Sequence, residues 1–168
     1  ESHRLVLKRQ YPIAAHTFYK VMGLFHLQAT QGEQACQFFR DALKVIQDFS
    51  LPYKIVDTLA LYGEGLLLCK NVPHFKEQKI RLQQYQNDPL FPFWNTFMDA
   101  CFCKYHNKKQ LLVGHLNKLI AFVEQSPYHD PCLKCTRQLP NGRSHPPFLR
   151  LRTFLLLEVL LLPKGLGG

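Results

Sequence analysis

Apolar residues recur along residues 11–126 at the spacing of amphipathic helices. The clearest case follows Gly32, where apolar positions at i, i+3, i+4 and i+7 form one face: Ala35, Phe38, Phe39, Ala42, Leu43, Ile46 and Phe49. The two-residue alternation that is typical of half-buried strands is nearly absent. The pattern therefore predicts an all-α fold in which short breaks separate the helices.

Prolines and polar clusters divide this pattern into six helices. We predict them at about residues 12–29, 30–49, 52–69, 74–86, 89–106 and 108–125. Thr30 and Glu33 have the spacing of a capping box at the start of the second helix, with Thr30 binding the third backbone N–H. The first helix carries apolar residues around most of its circumference, so we expect it to be buried on more than one side.

The composition changes after residue 126. Residues 127–147 contain several prolines and are predicted to be a loop, whereas residues 148–162 are apolar nearly all round and end at Pro163. The chain therefore divides into an N-terminal arm (1–10), a helical-repeat domain (11–126), a proline-rich loop (127–147) and an apolar C-terminal helix with a frayed tail (148–168). Because the loop is long for a connection inside a compact array, we expect the C-terminal helix to pack poorly on the array.

The helical domain contains an internal repeat. Thr17-Phe18 recurs as Thr96-Phe97, and the pairs Pro52-Tyr53 and Pro127-Tyr128 lie 75 residues apart. This distance corresponds to about two helix pairs at the usual repeat length of roughly 34–40 residues. We therefore predict three helix pairs, at residues 11–50, 51–87 and 88–126.

The first pair resembles a tetratricopeptide repeat. It has the motif residues of that family at the right offsets: Tyr19, Met22, Gly23, Ala35, Phe39 and Ala42. The second pair keeps Leu59, Tyr62 and Gly63, whereas the third keeps Trp94 and Phe97 but has Met98 where a small residue is expected. The resemblance implies a short superhelix of three stacked helix pairs; a pentatricopeptide-like repeat and an irregular helical bundle are the alternatives.

Close packing between the two helices of a pair explains why the motif has these residue types. A glycine at position 23 allows the second helix of the pair to approach, and the small side chains of Ala35 and Ala42 keep that contact narrow. Phe39 then fills the space beside them. We therefore expect Phe39 to be a core residue.

The distribution of charge matters more than its total. The formal net charge is +9, and residues 132–168 account for +5 of it. Residues 1–131 hold 15 basic and 11 acidic side chains. Because a nucleic-acid-binding protein usually concentrates positive charge on its folded face, we interpret this charge as a solubilising surface rather than a dedicated nucleic-acid groove.

Sequence motifs of common enzymes are absent. The chain has no Walker-type phosphate loop, no His-Glu-x-x-His and no Gly-x-Ser-x-Gly. Gly63-Glu64-Gly65 is isolated within a helix and indicates close packing, and His16, His26 and His115 fit packing or surface positions. We therefore predict no enzymatic activity, no catalytic residues and no cofactor.

One group of residues has the types and spacing that zinc uses. His129, Cys132 and Cys135 follow at three-residue steps in the loop, and Cys103 and His106 lie at the end of the fifth helix. These five residues are the candidate metal ligands. No second Cys-x-x-Cys accompanies the first, and Cys101 fits a core position, so we predict that the chain holds no zinc.

Two functions agree with these patterns. The resemblance implies a non-catalytic scaffold that holds a peptide or a partner helix in its concave groove. The alternative is an RNA-binding, pentatricopeptide-like array whose side chains stack on bases, and the aromatic residues that permit it are Tyr11, Tyr19, Tyr53, Trp94 and Tyr105. The modest charge of residues 1–131 favours protein–protein interaction, and no small-molecule substrate is implied.

The number of cysteines and the hydropathy of the chain indicate the cellular compartment of the protein. Six cysteines are too few for a dense disulfide framework, and residues 1–10 lack the apolar core of a signal peptide. The longest apolar run, 153–163, is interrupted by Glu158 and is shorter than the roughly 20 residues of a membrane-spanning helix. We expect a protein of the cytoplasm or nucleus, in a reducing compartment and away from membranes. The chain lacks an initiator Met, and we expect it to be a fragment of a larger protein.

Overall fold

The structure, a computed structural model, describes residues 11–51 and 54–125. These residues form six α-helices and no strand: α1 (Pro12–Gln28), α2 (Gly32–Phe49), α3 (Ile55–Leu68), α4 (Val72–Gln83), α5 (Phe91–Tyr105) and α6 (Lys109–Gln125). The predicted all-α class is confirmed. The arm (1–10), the proline-rich loop (127–147) and the C-terminal helix (148–168) that the sequence predicts lie outside the described residues.

The chain divides into two compact units between Leu112 and Val113, and this boundary lies inside α6. The first unit contains α1 to α5, and its core is built around α3. Twelve of the 14 residues of α3 are buried, because this helix packs against α2, α4 and α5. In the second unit, the side chains of Leu116 and Leu119 on α6 are buried. None of the helices in the described ranges combines the length and hydropathy needed to cross a bilayer.

The contact between α1 and α2 depends on a glycine. A Cβ atom added at Gly23 would lie 2.6 Å from Cε1 of Phe39, which is closer than real carbon atoms approach. Phe39, Ala35 and Ala42 have no exposed surface. The predicted close approach of the two helices at Gly23 is therefore confirmed, as is the core position of Phe39.

Three of the turns between helices have the same backbone geometry. The residues Thr30, Lys70 and Asn107 follow α1, α3 and α5, and each has a φ of 54–58°. In every case two backbone N–H groups return to the end of the preceding helix, as Thr30 N does to Leu27 O at 3.0 Å and Gln31 N does to His26 O at 2.9 Å. This is the Schellman motif, which satisfies the last carbonyl groups of a helix.

The capping box predicted at Thr30 is wrong. Gln31, not Thr30, is the N-cap residue of α2, and no side-chain hydrogen bond caps that helix. Thr30 lies in the left-handed region because its backbone closes the end of α1. The fourth helix also begins earlier than predicted, since the side chain of Asn71 accepts a hydrogen bond from His74 N and Pro73 occupies the first turn.

Counting back from these left-handed residues gives a register that differs from the sequence alignment. The residue seven positions before each of them, on α1, α3 and α5, is small and buried: Gly23, Gly63 and Ala100. Met98 lies two residues before Ala100, and its side chain packs against the α-carbon of Gly63. A Cβ atom added to Gly63 would be 2.6 Å from Cε of Met98. In this register the small residue of α5 is Ala100 rather than residue 98.

Candidate functional site

The exposed side of α1 carries apolar side chains. Phe18 is 54% exposed and Phe25 is 60% exposed, and the spacing of the exposed residues places them along one side of the helix. We call this surface the α1 face and define it by Ile13, Ala14, Phe18, Val21 and Phe25. Every exposed residue of α1 is uncharged. Thr17 and Gln28 are the polar members of this exposed side, so the face is largely apolar, the kind of surface that marks an interaction site.

The expectation that α1 is buried on more than one side is wrong. Its buried residues are His16, Tyr19 and Gly23, which lie on the side that packs against α2 and α3. The neighbouring helices therefore cover one side of an apolar helix. In the described residues the other side lies at the surface of the first unit.

Aromatic stacking fixes one edge of the α1 face. The ring of His26 stacks on Phe38 with centroids 5.1 Å apart, and Phe25 meets the edge of the same imidazole at 5.5 Å. The Nδ1 atom of His26 also lies 2.6 Å from Oε1 of Gln31. These contacts restrict the rotamers at this end of the face, so a partner would meet a partly preorganised surface.

Polar contacts on the opposite side of α1 hold the helix in place. His16 is fully buried, and its Nε2 lies 3.0 Å from Oγ1 of Thr58 on α3. The Thr58 hydroxyl donates to the carbonyl of Lys54 at 2.8 Å, which leaves its lone pairs to accept from His16 Nε2. Lys20 adds an ion pair to Asp57 at 2.6 Å. Because these bonds fix α1 on α3, they also fix the direction of the α1 face.

Burial keeps His16 neutral. Loss of solvation, followed by the charge of the nearby Lys20, lowers the pKa of His16 to about 4. The Nδ1 atom of the same ring is buried without a hydrogen-bond partner. His16 is therefore a buried packing residue, one of the two kinds of position that the sequence indicates for it.

The zinc candidates are only partly within the described residues. Cys103 is buried on α5, whereas His106 is exposed and its Nδ1–H donates to the carbonyl of Phe102 at 2.9 Å. His129, Cys132 and Cys135 lie outside the described residues. Within the described ranges, no three His, Cys, Asp or Glu side chains are grouped closely enough to hold a metal ion. The absence of zinc from the full chain stays a prediction. Cys101 is buried, as expected for a core residue.

A basic and aromatic group surrounds the turn between α5 and α6. The ring of His106 stacks on Phe102 with centroids 4.0 Å apart, and Lys108 Nζ lies 5.4 Å from the centroid of Phe102. Lys104 Nζ lies 5.7 Å from the ring of its neighbour Tyr105. This corner has the residue types that contact nucleic acid.

The aromatic residues considered for RNA binding have different environments. Tyr19 and Trp94 are buried, and Tyr11 is 61% exposed. Tyr105 is partly exposed, and Tyr53 lies outside the described residues. The buried members of this set cannot stack on bases without unfolding the core.

Comparisons with protein-family models, with curated proteins and with solved structures give no match for this chain. The interpretation of the α1 face therefore rests on its own residues.

Sequence reasoning missed this surface, although a signal for it is present. Lys20 is the only Lys, Arg, Asp or Glu residue of α1, and a helix that is apolar all round must be covered. What the sequence leaves open is which element covers each side. The structure assigns α2 and α3 to one side and leaves Phe18, Val21 and Phe25 exposed.

Proposed function

We propose that this chain is a non-catalytic helical-repeat scaffold that binds a protein partner, and that the partner packs an amphipathic helix against the α1 face. The observation that carries the proposal is the uncharged, apolar surface of α1. A partner with a charged contact surface would lose hydration there and gain no ion pair, so the surface selects an apolar one.

The spacing of the α1 face favours a helical partner. Ala14, Phe18, Val21 and Phe25 follow at steps of four, three and four residues, which is the pattern of a helix-to-helix seam. Burying one phenylalanine contributes about 1.5–3 kcal/mol. Phe18 and Phe25 are 54% and 60% exposed, so each contributes about half of this when covered, and the other exposed apolar residues of the face must add to it.

Features of the three helix pairs support a repeat of the tetratricopeptide type. The pairs share the same turn after their first helix, at Thr30, Lys70 and Asn107. They also share a small buried residue seven positions earlier. Repeats of this kind act by presenting surfaces to other proteins, and we propose that the scaffold works in the reducing environment of the cytoplasm or nucleus.

Site-specific photo-crosslinking in cells tests the proposal. A photoreactive phenylalanine analogue at position 18 should capture one defined protein. The same analogue at position 80 is the matched control, because Ile80 is 69% exposed but its helical neighbours one turn away are exposed polar residues: Lys76, Glu77, Gln83 and Gln84. A peptide from the captured protein should then bind the purified chain. The variant Phe25→Glu should weaken that binding at least tenfold, and Ile80→Glu should leave it unchanged.

Other outcomes would contradict the proposal. Equal capture at positions 18 and 80, or a captured segment that binds Phe25→Glu as well as the original chain, would rule out the α1 face as the binding surface. Recovery of crosslinked RNA instead of protein would favour the RNA-binding alternative. The observation behind that alternative is the group of Lys104, His106 and Lys108 around Phe102.

A further inference from the structure

Two cysteines meet where α2 crosses α3. Cys36 lies one turn after Gly32 on α2, and Cys69 lies one turn after Gly65 at the end of α3. A Cβ atom at Gly32 would lie 2.7 Å from Sγ of Cys69, and a Cβ atom at Gly65 would lie 3.0 Å from Sγ of Cys36. Each sulfur therefore rests over the glycine of the opposite helix.

This reciprocal arrangement brings the two backbones unusually close. The same added Cβ at Gly65 would be 3.6 Å from the backbone nitrogen of Cys36. Cys69 is close enough to be one of the neighbours that raise the pKa of Cys36, and neither thiol is part of a disulfide. The two sulfur atoms are thus neighbours before any reaction occurs.

We propose that Cys36 and Cys69 form an oxidation site that closes to a disulfide when a peroxide reaches the Cys69 thiol. The proposed partner binding does not involve these two cysteines, so each proposal is tested independently of the other. The disulfide would join the first helix pair to the second, because Cys36 belongs to α2 and Cys69 follows α3.

The reaction has two balanced steps. The Cys69 thiolate attacks one oxygen of hydrogen peroxide, which gives a sulfenic acid and releases hydroxide. The Cys36 sulfur then attacks the Cys69 sulfur, and the departing hydroxyl group takes the Cys36 proton and leaves as water. Overall, two thiols and one hydrogen peroxide give one disulfide and two waters.

The surroundings assign a different role to each thiol. Cys69 is partly exposed, whereas Cys36 is 6% exposed, so the small oxidant reaches Cys69 first. Burial, followed by the neighbouring Cys69, raises the pKa of Cys36 to about 12. Cys36 therefore stays protonated while Cys69 is oxidised, and its position beside Cys69, rather than its own reactivity, makes it the thiol that resolves the sulfenic acid.

Peptide mass spectrometry of the peroxide-treated chain tests the proposal. The folded, reduced protein is treated with hydrogen peroxide, blocked with an alkylating reagent and digested with trypsin. Cleavage after Lys and Arg puts Cys36 in peptide 21–40 and Cys69 in peptide 55–70, while Cys101 and Cys103 share peptide 82–104. We expect peptides 21–40 and 55–70 to become joined at least ten times faster than peptide 82–104 is oxidised. The oxidised protein should also melt several degrees higher, because the cross-link restricts the unfolded chain.

Two variants separate the roles of the thiols. In Cys36→Ser, the sulfenic acid at Cys69 should persist and be trapped by dimedone, whereas in Cys69→Ser the remaining Cys36 should stay unlabelled. The same treatment in concentrated urea is the control for proximity, and there the preference for joining 21–40 to 55–70 should disappear. Equal oxidation of all the cysteines in the folded chain, further oxidation of Cys69 without joining, or a disulfide between two chains would each overturn the proposal. The joining of peptides 21–40 and 55–70 is measured on the unsubstituted protein. This test therefore does not depend on whether a serine variant folds.

Discussion

At the scale of single residues, Gly23 determines how closely α1 and α2 pack. An added methyl group at Gly23 would meet three atoms of the Phe39 ring at 2.6–2.9 Å. The Phe39 ring is fully buried and cannot move aside without disturbing the core. We expect Gly23→Ala to lower the free energy of unfolding by about 1–3 kcal/mol, measured by urea unfolding.

Gly114 provides the matched control for this substitution. It also lies within a helix, α6, but an added Cβ there would meet nothing within 4 Å. Gly114→Ala should therefore raise the free energy of unfolding by about 0.5–1 kcal/mol, since alanine loses less backbone entropy in a helix than glycine does. A stabilising effect of Gly23→Ala would show that the helices at this crossing can separate without cost.

His16 should make stability depend on pH. Its pKa is about 4 in the folded protein and about 6.5 in an unfolded chain, so between these values the unfolded state binds the additional proton. The contribution is complete above about pH 6.5 and is lost as the pH falls towards 4, by about 3 kcal/mol in total. Unfolding in urea at several pH values from 7 to 4 measures it.

The variant His16→Gln isolates this contribution. A glutamine amide can still donate to Thr58, but it does not titrate. The charged groups around His16 are Lys20, Asp57 and Lys54, and they remain in both proteins, so the difference between the two pH profiles reports His16. Parallel profiles would mean that His16 is not kept neutral by its surroundings.

At the scale of elements, the turns after α1, α3 and α5 place non-glycine residues in a left-handed conformation that glycine adopts more easily. The strain depends on the side chain, because β-branched residues tolerate a positive φ poorly and asparagine tolerates it well. We expect Thr30→Gly to raise the free energy of unfolding by about 0.5–1 kcal/mol. Lys70→Gly should have a smaller effect and Asn107→Gly an effect near zero, as measured by thermal or urea unfolding. Equal effects at the three positions would contradict the view that the strain of this turn depends on the side chain.

Local signals predicted the helices but not these turns. Pro12 at the first position of α1 and the regular apolar stripe of α2 place the helices within a few residues of their observed bounds. The left-handed conformation of Thr30 has no such signal, since threonine there also fits a capping box. The backbone geometry is decided by the end of α1, which needs hydrogen-bond donors for its last carbonyl groups.

Features that depend on how helices pack could not be predicted from the sequence. Cys36 and Cys69 are 33 residues apart, and they become neighbours only because Gly32 and Gly65 let α2 and α3 cross closely. The exposure of Phe18 likewise depends on which side of α1 its neighbours cover. Sequence periodicity identifies an apolar face but does not say what lies against it.

At the scale of the whole molecule, most of the net positive charge lies outside residues 11–125. Residues 11–125 hold 12 basic and 9 acidic side chains, a net charge of +3 out of the total +9. Among these charges, Lys20 and Lys79 form ion pairs with Asp57 and Asp99. The helical part therefore has little excess charge with which to attract a phosphate backbone.

This separation predicts the behaviour of a chain that ends at Tyr128. The full chain carries a charge of +5 in residues 132–168, so we expect it to bind polyU weakly and to lose this binding steeply as salt is raised, because the binding is driven by counterion release. The chain that ends at Tyr128 should lose polyU binding. Its mean helical signal per residue in far-UV circular dichroism should equal that of the full chain. Fluorescence anisotropy with labelled polyU at several salt concentrations measures the first effect. If the shortened chain binds polyU with the affinity and salt dependence of the full chain, the helices themselves contact RNA, and the corner at Lys104 and Lys108 becomes the site to substitute next. If the shortened chain unfolds, residues 129–168 are needed for the fold, contrary to the expectation that the C-terminal helix packs poorly on the array.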